Sequence, residues 1–171
     1  MQETPQQYTQ RILSYVESAD PLRVQRATAK KLASLMKGKN KKQLTRRPAP
    51  EKWSVAEVMA HLADVEIAVG WRLRLVLTAN AVSIQAYDQD AWAATFGYAR
   101  RDPWQSLELF RTNRDANIRL VKFVPRELWN NYGVHQERGN ESVSRIVRMV
   151  AGHDLNHLKQ IEGILKSRKK V

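Results

Sequence analysis

The sequence predicts an all-α fold, a four-helix bundle, and three observations lead there. Apolar residues recur at three- and four-residue spacing through several long segments. Residues with helix-capping chemistry stand at the starts of those segments. Alternating apolar runs between turn clusters, the mark of half-buried strands, are nearly missing. Helices that each carry one apolar stripe bury it best in a bundle, where facing helices can also supply side chains to a central site. The 171 residues are enough for a substantial core, so a single domain over 1–171 is expected, with 1–27 as an N-terminal helical extension.

The first helical segment runs from about Pro5 to Val16. Asp20-Pro21 starts the next: the aspartate accepts from free first-turn amides, and proline suits the first helical position. Leu32, Leu35 and Met36 mark its apolar face as far as Gly38, where the chain turns into a lysine-rich loop, Lys39 to Lys42. Pro48 and Pro50 keep the next connector extended, because the residue before a proline is pushed out of the helical region. Ser54-Val55-Ala56-Glu57 is a capping box that opens a long helix, with Val58, Met59, Leu62, Val65 and Val69 on its inner stripe. Asp102-Pro103-Trp104-Gln105 opens another, with Leu107, Phe110, Ile118 and Leu120 among its apolar positions up to Pro125. Pro125, Gly133 and Gly139 predict an irregular loop from Phe123 to Asn140. The last helix begins near Asn140 to Ser142, its stripe passing through Val143, Ile146, Val147, Val150, Ile161 and Ile164. The basic tail from Lys166 to Val171 is expected to fray.

Three of the four histidines fall on these inner stripes. His61 sits three residues after Val58 and four before Val65; His153 and His157 form H-x-x-x-H in line with Val150 and Ile161. An i, i+4 pair can share an ion, as in H-E-x-x-H zinc helices, although His-Asp-Leu-Asn-His lacks that motif's glutamate base. Neutral imidazole is a ligand for zinc and neighbouring ions, and three protein donors leave a coordination position open. On the residues alone three readings stand: a metal centre, core histidines satisfied by hydrogen bonds, or a proton-transfer site without an ion.

Composition narrows the rest. With 29 Lys and Arg against 17 Asp and Glu the chain carries +12, and from Pro21 to Pro50 there are basic residues but no acidic one. Arg23, Arg26, Lys30, Lys31, Lys37, Lys39, Lys41, Lys42, Arg46 and Arg47 could attract nucleic-acid phosphates or an acidic partner, in a salt-dependent way. The stretch holds no aromatic residue to stack on a base and no motif of the common nucleic-acid folds, so a solvated basic face is the simpler reading. Cysteine is absent, which excludes disulfides, thiolate ligands and a cysteine nucleophile. No segment has the apolar length of a membrane span and Met1 to Gln10 does not resemble a signal peptide, so no membrane association and a cytoplasmic location are expected.

Several ordered segments carry a family resemblance. Arg47-Pro48-Ala49-Pro50-Glu51-Lys52-Trp53-Ser54-Val55-Ala56-Glu57-Val58 and then His61-Leu62-Ala63-Asp64 closely resemble the signature helix of the DinB/YfiT-like superfamily. So do Tyr87-Asp88-Gln89-Asp90-Ala91-Trp92, Gly133-Val134-His135 followed by Gly139, and Gly152-His153-Asp154-Leu155-Asn156-His157-Leu158-Lys159-Gln160-Ile161. The resemblance implies a four-helix bundle in a mirror variant of up-and-down connectivity, usually a homodimer. It also implies a three-histidine site, to which His61, His153 and His157 correspond one for one, holding zinc first of all, or nickel, iron or manganese. Some members resemble transferases that add a low-molecular-weight thiol such as bacillithiol or mycothiol to an electrophile, or isomerases that use such a thiol; others are labelled hydrolases. The resemblance thus implies a metal-dependent enzyme acting on a small molecule, with a thiol S-transferase first, a hydrolase second, and a non-enzymatic basic binding protein as the rival class. A thiol would have to arrive as cosubstrate.

Other residues are candidates for the surroundings of that site. Asp64, one turn after His61, and Asp154, next to His153, are placed to orient an imidazole, although adjacent helical positions point about 100° apart and favour a solvent-facing Asp154. Tyr87, Asp88, Asp90 and Trp92 could line a pocket, or simply pack. His135 would close the site as a fourth ligand, and is better read as a pocket or loop-fixing residue. Arg111 and Arg114 could grip a substrate carboxylate, with an exposed helical face the simpler reading.

Overall fold

Every α-helix among the described residues begins on a side chain that accepts from its own first turn, and these caps fix where the helices start. The computed structural model describes residues 3–167. Thr4, Asp20, Asn40, Ser54, Asp88, Asp102 and Ser142 cap, in order, α1 (Pro5–Ser14), α2 (Pro21–Met36), α3 (Lys41–Thr45), α4 (Val55–Thr78), α5 (Gln89–Thr95), α6 (Pro103–Phe123) and α7 (Val143–Lys166). The lysine-rich stretch expected to be a loop is therefore partly helical. Asn40 and Gln43 form a reciprocal capping box there, and Leu44 plugs into the core. The expected fraying of the tail concerns residues 168–171, which lie outside the described residues.

Four long helices form the bundle: α4 packs on α6 and α7, and α2 packs on the same two. Two apolar layers give their directions. One joins Leu32 and Met36 late in α2 with Val58 and Leu62 early in α4, Leu107 and Phe110 early in α6, and Leu158 and Ile161 late in α7. The other joins Leu22, Val76, Val121 and Val147, the opposite ends of the same helices. So α4 and α6 run parallel to each other and antiparallel to α2 and α7, up-down-down-up in chain order. The first three turns of α4 are buried on every side, from Val55 to Asp64, because α3, α6, α7 and the 3₁₀ turn Tyr98–Arg100 surround them. Glu57, buried in this stretch, is satisfied by the Ser54 amide and hydroxyl and by the Arg47 guanidinium.

A second helix layer lies outside α7. α1 packs across it at Gly152, where an added Cβ would sit 2.1 Å from the Ile12 carbonyl oxygen. The N-terminal segment is thus packed against the helix that carries two of the histidines.

The near absence of strand signals does not hold. A three-stranded sheet, order β1-β2-β3, joins the end of α4 to the start of α7, with β1 (Val82–Ile84), β2 (Tyr132–His135) and β3 (Gly139–Ser142). β1 pairs parallel with β2 in the register Ser83 to Val134, and β2 pairs antiparallel with β3, His135 facing Gly139. Strands this short cannot display a period-two pattern, which is why the sequence hides them. The segment from Phe123 to Asn140 is correspondingly ordered: a 3₁₀ turn at Arg126–Asn130 buries Trp129, and Gly139 at φ 70° closes the hairpin. Among the described residues no helix is long and apolar enough to cross a membrane.

Candidate metal centre

His61 on α4 and His153 with His157 on α7 meet between two antiparallel helices whose apolar stripes aim them at each other. The His153 Nε2 lies 3.2 Å from His61 Nε2 and 3.1 Å from His157 Nε2. A tetrahedral ion with nitrogen bonds of about 2.0–2.1 Å requires its donors about 3.3 Å apart; these two spacings match, and all three nitrogens lie within 4.8 Å of one another. The tautomer fits as well. Gln160 Oε1, which can only accept, lies 2.6 Å from His157 Nδ1, so Nδ1 carries the proton and Nε2 keeps its lone pair. Burial, then His157, lowers the His61 pKa to about 3. Burial also holds His153 well below the usual value, helped by His157 and His61. Burial lowers His157 too, against the opposing hydrogen bond to Gln160. All three rings are therefore neutral at pH 7, the form that can donate to a cation. A proton on His153 Nε2 could serve one neighbouring ring as a hydrogen bond, whereas a shared cation would take up all three nitrogens at once.

His61 and His153 open on a cavity of about 340 Å³. Its wall follows one face of α4 through His61, Val65, Val69 and Arg72, whose spacing of four, four and three residues keeps them in line. Met149 and Val150 of α7 continue the apolar side, and Tyr87, His135 and Arg138 complete the polar one. Glu3, Thr4, Pro5 and Tyr8 close it from the N-terminal segment.

The other sequence candidates separate. His135 is 2% exposed on β2, lies outside the group of three, and its Nδ1 accepts from the Glu137 amide at 3.2 Å. Asp154 does not face solvent. It is 1% exposed, accepts from Arg114 at 2.5 and 2.9 Å, and takes a bond from the Thr28 hydroxyl at 2.8 Å. The 100° step from His153 carries it into the seam between α7, α2 and α6, not out of the bundle. Arg114 is likewise buried, bonded also to Glu66, whereas Arg111 is exposed and paired with Glu108. Asp64 is held by Arg101 at 2.8 Å and makes no hydrogen bond to His61. Tyr87 and Trp92 stack on each other with centroids 4.1 Å apart, Asp88 caps α5, and Asp90 is exposed away from the histidines. Sequence reasoning missed Gln160, Arg72, Arg138 and Tyr8. The first two were readable, Gln160 at i+3 from His157 and Arg72 on the stripe of His61; Tyr8 and Arg138 reach the cavity only through tertiary packing.

This geometry has relatives. The family model of the DinB superfamily matches residues 24–161. The chain belongs to the DinB superfamily. Two proteins of Oceanobacillus iheyensis, whose names place them provisionally among metal-dependent hydrolases, are similar to it. One is 24% identical over 132 residues, 77% of this chain and 76% of the relative; the other is 28% identical over 116 residues, 67% and 66%. Among solved structures, YfiT from Bacillus subtilis, described as a probable metal-dependent hydrolase with an unusual four-helix bundle topology, superposes with a TM-score of 0.79 at 21% identity, covering 84% of this chain and 83% of YfiT. The mycothiol-dependent maleylpyruvate isomerase superposes with a TM-score of 0.67 at 11% identity, over 82% of this chain and 59% of that one. Identities this low speak for the DinB fold. The part of the cavity wall built by α1 lies outside the matched span of this DinB-superfamily chain.

Proposed function

We propose that this protein is a metal-dependent enzyme in which His61, His153 and His157 hold one divalent ion at the end of the cavity. The reading rests on the three imidazole nitrogens that converge within 4.8 Å of one another, two of their rings facing open space. An ion held by neutral ligands supplies undiminished positive charge, which lowers the pKa of a thiol or water beside it. Gln160 fixes the His157 tautomer, and Val65, Val69, Met149 and Val150 give an electrophile an apolar bed.

Within that class we favour transfer of a low-molecular-weight thiol of the bacillithiol or mycothiol type to a small electrophile. The ion could ionise either, but a thiol, with an ordinary pKa of about 8.5, starts much closer to neutrality than water and needs less help. Of the carboxylates flanking the histidines in sequence, Asp154 is held by Arg114 through both oxygens, whereas Asp64 is bonded to Arg101 through Oδ1 and its buried Oδ2 has no partner. Because the chain has no cysteine, the sulfur of such a transfer would come from the cosubstrate. The hydrolase reading has one observation of its own: Glu137 lines the cavity without an ion pair and could serve as a base.

Zinc-loaded protein with such a thiol and a chloro-dinitrobenzene acceptor distinguishes them. Thiol transfer forms the carbon–sulfur bond, breaks the carbon–chlorine bond, and releases chloride and the thiol proton. Metal-dependent chloride release, unaffected by Glu137→Gln, supports the transferase. Ester hydrolysis that needs the metal and is abolished by Glu137→Gln, with no thiol transfer, overturns it in favour of the hydrolase.

A further inference from the structure

The cavity contains a cation, Arg72, that no carboxylate of the described residues bonds. Arg72 gives one hydrogen bond, to the Gln85 carbonyl at 2.8 Å, and its guanidinium lies 5.3 Å from the Tyr87 ring centroid. Among the described residues no carboxylate pairs with it. The other charges on the wall are accounted for: Arg138 is bound at both Nε and a terminal nitrogen by Glu141, and Glu3 is bound by Arg11. Glu137 lines the same cavity and remains unpaired, close enough to temper the field without bonding Arg72. Burial, and after it the neighbouring Arg138, push the Arg72 pKa below its ordinary value, so the charge is held at a cost that an anion would remove. His135, on the same wall, carries a second unsatisfied donor, enclosed behind the surface. With His135 Nδ1 occupied by the Glu137 amide, the proton of the neutral ring is on Nε2, which is buried and has no partner.

We propose that the cavity binds an amphipathic monocarboxylate, its carboxylate on the Arg72 guanidinium and its apolar body along Val65, Val69 and Val150 toward the histidines. This names the substrate class for the site read above as catalytic, and rests on that reading for its function but not for its binding. The planar guanidinium fork matches a carboxylate in bidentate fashion. One cation without a bonded carboxylate can match at most one negative charge at this end; a phosphate dianion would leave its second charge uncompensated and facing Glu137. Arg72 is eleven residues from His61, about 16 Å along the helix axis, and its side chain leans back toward the N-terminus. A ligand that touches both ends is therefore several bonds long, which leaves an apolar middle for the valines.

Calorimetric titration of 3-phenylpropionate, 3-phenylpropanamide and phenyl phosphate tests this, on zinc-loaded and on chelator-treated protein. The acid is expected to bind at least about tenfold more tightly than the amide in both preparations, the difference expected of a charge-assisted pair. Arg72→Gln should remove that preference while leaving the zinc content and melting temperature of the protein unchanged, and Arg72→Lys should keep part of it. Equal binding of acid and amide, no binding of the acid at millimolar concentration, tighter binding of phenyl phosphate, or an acid preference that survives Arg72→Gln would each overturn the assignment. A preference that disappears on chelation but survives Arg72→Gln puts the carboxylate on the ion, contradicting this proposal while leaving the metal centre intact. Failure to retain zinc with the acid preference preserved does the reverse.

Discussion

Arg114 on α6 and Asp154 on α7 share two hydrogen bonds, 2.5 and 2.9 Å long, between side chains almost wholly removed from water. The pair sits directly behind His153, and Glu66 of α4 takes a third bond from the same guanidinium at 2.8 Å. Three bundle helices are thus tied at the level of the histidines, and Thr28 of α2 adds the fourth through Asp154. Burial works against the Arg114 charge, but the carboxylates of Asp154 and Glu66 outweigh it and raise its pKa.

Removing one member of such a network leaves buried charge without a partner. Arg114→Met is expected to destabilise the protein by about 3–5 kcal/mol in urea unfolding. Arg111→Met, which breaks only the exposed pair with Glu108, should cost less than about 1 kcal/mol. Equal effects of the two would contradict the described roles.

Gln160 acts on the ion through His157. Gln160→Leu removes the acceptor that keeps the Nδ1 proton in place, and zinc affinity should fall about 10- to 100-fold in competition with a chromophoric chelator. The fold should be little disturbed, because Gln160 is only half-buried. An unchanged affinity would mean that the contact does not orient the ligand.

Stability of the metal-free protein should depend on acid in a definite direction. His61 and His135 have folded values lowered to about 3 and about 4, both chiefly by burial, against about 6.5 in an unfolded chain. The unfolded state then binds more protons below about pH 6.5, so stability is fully present above that pH and is lost as the pH falls toward 4, by up to about 1.4 kcal/mol per unit for each histidine. Chemical unfolding between pH 7.5 and 4.5, at about half-unit steps, reads the slope; stability that rises on acidification would contradict the buried neutral rings.

The long helices and the histidine stripe were legible because both are local. Ser54 with Glu57, Asp20 with Pro21 and Asp102 with Pro103 announce helix starts within four residues, and His61, His153 and His157 share the period of their valine and isoleucine neighbours. The strands escaped because three or four residues carry no readable period, and Asn40 with Gln43 was passed over amid the lysines. Asp154 was misjudged for a different reason: α7 is covered on more than one side, by α2 and α4 in the bundle and by α1 outside, so a second face of the helix is interior. Which charges are buried there depends on partners as distant in sequence as Thr28 and Arg114, and one helix alone cannot reveal them.

The most direct measurement is the zinc content of untagged protein after zinc saturation and extensive dialysis, compared with His61→Ala, His153→Ala and His157→Ala. One tightly held ion per chain in the wild type, lost in each variant while the helical circular-dichroism spectrum persists, is the predicted result. A wild-type protein that emerges without zinc, or variants that retain it in full, would contradict a centre built from those three nitrogens.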